Sequence, residues 1–236
     1  MPKLFFIICS ILFLSLAALK IFIISYLYLN WDFAIFLDYF YRLSLGQTPH
    51  LDFITPFGFS VGFLYEITNY FDPFLEIFFI KSEILIHKFN LSLTLISLVV
   101  GFLSLFILQK WKINNLFKII ISLFIFSYAI TSRAHGYDTL IAFTSFYNHL
   151  VISIFFITVI YGINIYNLSR DSVTINYFTQ SVQSFTVGLL ICFAIFLKIT
   201  GLVCITSVVI LLFLLLSNRI DKNIIKFNLL FLFIGV

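Results

Sequence analysis

Apolar runs separated by short polar stretches occupy almost the whole chain. A helix that crosses a bilayer needs roughly 20 apolar residues, with a range of about 17–25. By that measure the pattern predicts spans over about 4–29, 91–108, 115–130, 149–166, 185–197 and 202–217, and an incomplete one over 224–236. The first run is longer than the roughly 7–15-residue core of a signal peptide and has no clean small-residue cleavage site, so it reads as an uncleaved span. Lys20 interrupts it with a stem long enough to snorkel to a nearby surface. The stretch 185–217 exceeds one span and carries Lys198, Thr200 and Gly201 near its middle, which reads as two short spans around a tight turn. The last run reaches Val236 without a basic flank, and the chain reads as a truncated piece of a longer protein.

The stretch 30–90 breaks the pattern. From Asp32 to Leu45 the apolar period is helical: Phe33, Phe36, Leu37, Phe40 and Leu43 share one face, while Asp38 and Arg42 form an i,i+4 pair on another. That describes an amphipathic helix lying on a membrane surface, ended by the turn Gly46–Pro49. The apolar piece Phe57–Ile67 is short and contains Glu66, and Phe74–Ile86 carries Glu76, Lys81 and Glu83. Both read as interfacial or re-entrant segments, with a true span at 57–80 as the alternative. Residues 167–184, rich in Ser, Thr and Asn, read as a polar loop.

Composition agrees with this reading. The chain is 62% hydrophobic and 10% charged, with mean hydropathy +1.13, against about 25% charged residues in a soluble domain. The expected class is an all-α membrane protein: a polytopic helical bundle with an extracytoplasmic first loop bearing amphipathic surface helices. Its first partner is the lipid bilayer. The net charge of +4 comes without a basic block, which argues against nucleic acid as a partner. Cys9, Cys192 and Cys204 all sit inside apolar runs and read as small buried hydrophobes. With the N-terminus in the cytoplasm, Lys3, Lys110, Lys112, Lys118, Arg170, Arg219, Lys222 and Lys226 fall inside, as the positive-inside rule requires. Eight of the ten acids then fall outside, seven of them between 30 and 90.

Short acids next to lipid are functional suspects, and here they recur with a turn signature. Asp32 follows the first span. Gly46-Gln47-Thr48-Pro49-His50-Leu51-Asp52-Phe53 comes next, then Thr55-Pro56-Phe57-Gly58. In this order the residues resemble the N-terminal half of a type-C (GT-C) integral-membrane glycosyltransferase, the superfamily of protein O-mannosyltransferases and aminoarabinose transferases of lipid A. Leu197-Lys198-Ile199-Thr200-Gly201 is similar to a turn between later spans of that family, and Tyr147-Asn148 is a weaker echo at a span entry. Phe33 follows Asp32 where many members carry Glu, and Pro56 stands where they carry two prolines.

The resemblance implies an enzyme that moves a sugar from a polyprenyl-phosphate donor to a glycan, lipid or protein acceptor outside the cytoplasm. Such a reaction needs a carboxylate to take the acceptor's proton and a cation or backbone donors for the leaving phosphate. Asp32 is then the general base, with a helix N-cap as its plain alternative. Asp52, Arg42, His50 and Lys198 become substrate-binding candidates. Their plain alternatives are a turn residue for Asp52, pairing with Asp38 for Arg42, and snorkelling for Lys198. No metal-ligand pattern is present. The sequence calls for no cofactor and leaves only a divalent cation open. The rival readings are a non-enzymatic multi-pass transporter or assembly component, and an inactive fragment of a glycosyltransferase.

Overall fold

A computed structural model of the chain describes residues 2–23, 31–55, 59–81, 84–130, 146–170, 177–197 and 222–235. Nine α-helices make up this part: α1 (Pro2–Ile23), α2 (Trp31–Ser44), α3 (Phe59–Asn69), α4 (Asp72–Phe78), α5 (Ile84–Leu108), α6 (Asn115–Ile130), α7 (Phe146–Arg170), α8 (Tyr177–Leu197) and α9 (Lys222–Gly235). Three helical stretches, Ile84–Leu108, His149–Asn167 and Tyr177–Leu197, are long and apolar enough to cross a membrane. This is an all-α membrane protein.

The side-chain register gives the helix directions. Cys9 packs with Leu105, and the Phe13 ring lies 5.4 Å from that of Phe102, so α1 runs antiparallel to α5. Phe126 covers Gly101 and Ile119 joins Leu105, so α6 is antiparallel to α5 as well. His149 stacks on Tyr128 with centroids 4.5 Å apart, and Tyr161 hydrogen-bonds Ser184, which extends the alternation through α7 and α8. The pattern then breaks. Asn228 lies beside Ser184 and Leu232 beside Gly188, so α8 and α9 run parallel. Leu197 at the end of α8 and Lys222 at the start of α9 therefore lie at opposite ends of the bundle.

Between lipid-facing helices there is little hydrophobic gain to drive association, so close packing and polar contacts must do it. Both are present. A Cβ on Gly188 would collide with the Leu232 carbonyl oxygen and lie 3.0 Å from Gly235 Cα. The two glycines thus let the α8 and α9 backbones touch. Five hydroxyls on α5 and α7 are satisfied within their own helices: Ser92, Thr94, Ser97, Ser104 and Thr158 each donate to a carbonyl three or four residues back. No polar side chain needs to reach across lipid to find these partners.

The described residues of 31–81 fold as short helices gathered at one end of the bundle. In α2, Tyr39 and Phe40 are buried, and Leu37 and Leu43 pack against the core. The 14 residues of α2 reach about 21 Å and the 11 of α3 about 16 Å, against roughly 30 Å of hydrocarbon. α3 begins where the Ser60 hydroxyl donates to Phe193 O (2.8 Å) on α8 and ends where Asn69 meets Lys88 on α5. It therefore lies across that end of the bundle.

Several helices differ in extent from the apolar runs. The helix expected over 91–108 begins at Ile84, because His87, Lys88 and Asn90 are buried inside the protein rather than left at a membrane surface. Phe74–Ile86 is divided between α4 and the start of α5. Residues 167–184 are largely helical: α7 continues to Arg170 and α8 begins at Tyr177, with Gln180, Gln183 and Ser184 buried. The predicted span 202–217 lies outside the described residues.

Candidate functional site

The turn after α2 is built by its glycine. Gly46 takes φ +77°, and the Gln47 N–H reaches Arg42 O (3.1 Å) while the Gly46 N–H reaches Leu43 O (2.9 Å). This double closure of a helix C-terminus needs a left-handed residue, which glycine adopts without steric cost. Beyond it, the Asp52 N–H donates to Thr48 O (2.9 Å) and Asp52 Oδ2 accepts from the Thr48 N–H (2.6 Å), closing a small ring. His50, at φ +63°, lies on the outside of that ring and is exposed. Phe53 fixes the turn to α2: its ring meets Tyr39 edge-on at 5.4 Å, and the Arg42 guanidinium lies 5.3 Å above it. Tyr39 is buried against Gly62, and burial pushes its phenol up to about 12, with the Gly62 backbone pulling it back in part.

Arg42 also makes the predicted pair with Asp38, Nε to Oδ2 at 2.8 Å. The two side chains are 39% and 53% exposed, so the pair contributes at most about 1 kcal/mol and can open to another anion. Asp52 is exposed and already serves its own turn. Asp32 falls in the first turn of α2, where a carboxylate favours the helix dipole, rather than at the residue before the helix. Its side chain, and the whole of Lys198, lie outside the described residues. The structure thus brings Arg42 to the Phe53 ring, in the turn that carries His50 and Asp52.

A second cluster at the same end was not visible in the sequence pattern. Lys88, 5% exposed, donates to Asn69 Oδ1 and Asp72 Oδ2, both at 2.8 Å, and sits 4.9 Å over the Tyr65 ring. Asn69 in turn donates to Glu66 (3.2 Å). Burial, then the charges of Asp72 and Glu66, push the Tyr65 phenol up. One ammonium therefore ties α5 to the junction of α3 and α4. The Asp72 side chain is 38% exposed, which weakens the pair relative to a fully buried one. We expect Asp72→Ala to destabilise the protein by about 2 kcal/mol, somewhat below the usual cost of orphaning one partner of a buried pair. Comparative thermal unfolding in detergent would show this as a lowered midpoint, and Asp72→Glu should restore much of it.

A third polar cluster lies at the opposite end, where α5 turns into α6. Lys110 Nζ points inward to Gln180 Oε1 (3.2 Å) and Gln183 Oε1 (3.4 Å), and both glutamines are fully buried. Below them Tyr161, Ser184 and Asn228 join α7, α8 and α9. Nε2 of Gln180 and Gln183, Nδ2 of Asn164 and Nε1 of Trp111 have no partner among the described residues. An unmatched buried donor costs about 1–3 kcal/mol. Burial also pushes the Lys110 ammonium below the usual lysine range. Among the described residues no group of three or more His, Cys, Asp or Glu is placed to hold a metal.

No family model matches the chain, and neither a curated protein nor a solved structure matches it.

Proposed function

We propose that this protein transfers a sugar from a polyprenyl-phosphate carrier to an acceptor on the extracytoplasmic side of the membrane, with Asp32 as general base. In this reading the helices cross the membrane as a multi-pass bundle, the N-terminus is cytoplasmic, and α2–α4 lie at the outer surface. One observation carries the proposal beyond the sequence resemblance. The apolar face of α2 is seated on the bundle through Tyr39 and Phe40, while Arg42 near its end lies over Phe53 of the turn that carries His50 and Asp52. A lipid-borne phosphate needs a cation at the level where oil meets water. Arg42, held among the described residues by an exposed carboxylate and an aromatic face, can take a phosphate in place of Asp38. Lys198 follows directly on Leu197, at the end of α8 across which α3 lies, and is the second cation the reading assigns to the carrier. A divalent cation has no role in it.

The test is donor turnover. Protein in liposomes is given a polyprenyl-phosphate sugar labelled in the sugar, together with membrane extract as acceptor. The proposal predicts that label leaves the carrier and appears in a new product. A transporter would move the labelled carrier or solute with the sugar bond intact, and that result would replace this reading.

A further inference from the structure

The cluster at Lys110 has a chemical bias that the site above does not explain. Every unpartnered polar atom in it is a nitrogen that donates: Gln180 Nε2, Gln183 Nε2, Asn164 Nδ2 and Trp111 Nε1. The register of Tyr161 with Ser184 puts Asn164 level with Gln180, and Trp111 follows Lys110 in the chain. Turning the amides round would not cure this, because Lys110 can only donate and needs their oxygens. The Lys110 ammonium adds to a surplus of N–H groups there, and no carboxylate is bonded to any of them among the described residues. What such a cluster lacks is an anion with several acceptor oxygens.

An apolar groove of about 550 Å³ leads up to it between α1, α5 and α8. Val99, Phe102 and Phe106 line it from α5, Phe6 from α1 and Thr186 from α8. Lys110 stands one turn beyond Phe106 and Gln183 one turn before Thr186, so the groove runs toward these two residues. An apolar groove that runs toward a cation and amide donors is complementary to an anionic lipid.

We propose that Lys110, Trp111, Gln180 and Gln183 bind the phosphodiester of an anionic phospholipid, one acyl chain of which lies in the groove between α1, α5 and α8. The headgroup oxygens accept from the Lys110 ammonium and from the glutamine amides. The site lies at the opposite end of the bundle from Arg42 and does not depend on the glycosyl-transfer reading.

The chain has two tryptophans, so Trp31→Phe leaves Trp111 as a reporter inside the site. The Trp31→Phe protein is placed in phosphatidylcholine nanodiscs with a minor fraction of phosphatidylglycerol or phosphatidylcholine brominated on the acyl chain. Brominated phosphatidylglycerol should quench Trp111 at about fivefold lower mole fraction than brominated phosphatidylcholine, the enrichment one membrane-facing cation gives. Lys110→Met and Gln183→Leu should each bring the two lipids together, and Lys110→Arg should keep them apart. Equal quenching by both lipids in the Trp31→Phe protein would overturn the proposal, whatever the other variants do. So would relief of the quenching by millimolar inorganic phosphate, which would make this a site for a free anion.

Discussion

Asp32→Asn is expected to lower sugar transfer by about 10²–10⁴-fold, the range by which a positioned proton acceptor speeds a reaction. The amide keeps the size of the carboxylate and loses only its ability to take a proton. Asp32 lies in the first turn of α2, so the change also weakens a favourable dipole contact there, which is a matter of tenths of a kcal/mol. The two effects separate cleanly. A catalytic Asp32 loses turnover with the unfolding midpoint almost unchanged. An Asp32 that only helps start the helix shifts the midpoint slightly and leaves turnover intact. Measured donor turnover and thermal unfolding of the same preparation decide between them.

Gly188→Leu is expected to be among the most destabilising single substitutions in the described bundle, by about 3 kcal/mol, at the upper end for forcing volume into a packed core. The reason is what the new side chain would meet. At Gly188 it would meet the α9 backbone itself, the Leu232 carbonyl and Gly235 Cα, and backbone cannot turn aside as a side chain can. Gly101 makes the contrast. A Cβ there would meet the rings of Phe126 and Phe13 at 2.9 and 3.1 Å, which are side chains with some room to shift. Gly188→Leu should therefore separate α9 from α8 and break the Tyr161–Ser184–Asn228 contacts below it. A lowered unfolding midpoint, and efficient disulfide crosslinking between paired cysteines on α8 and α9 that is lost in Gly188→Leu, would show this. An unchanged midpoint would mean that the two helices are not in backbone contact.

The sequence pattern located most helices because hydropathy is a local property. Helices cover 91–108, 115–130 and 149–166, and the Asp38–Arg42 pair is present, its spacing alone putting the two residues on one helix face. The end of α2 could also be read, since Gly46 is the residue a left-handed helix cap prefers. Other features depended on partners far along the chain. Lys88 looks like the basic flank of a span until Asn69 and Asp72 are folded against it from 19 and 16 residues away. Gln180, Gln183 and Ser184 lower the hydropathy of their stretch and so resemble a loop. They are helical and buried because Lys110, Tyr161 and Asn228 come from three other segments to meet them. A one-dimensional pattern cannot register a polar residue whose water has been replaced by another helix. Asp52 shows the converse. Its place in an acidic, proline-rich turn marks it for chemistry, while its carboxylate is engaged in closing that turn.

The arrangement of α2–α4 at one end of the bundle and the Lys110 turn at the other matters only if a membrane separates them. Ile54, 98% exposed, marks the first end and Leu116, 59% exposed, the second. In a background with Cys9, Cys192 and Cys204 replaced by serine, Ile54→Cys and Leu116→Cys are treated with a membrane-impermeant maleimide on intact cells. The account predicts labelling of Ile54→Cys on intact cells and of Leu116→Cys only after lysis. Labelling of both from the same side, or the reverse order, would contradict it.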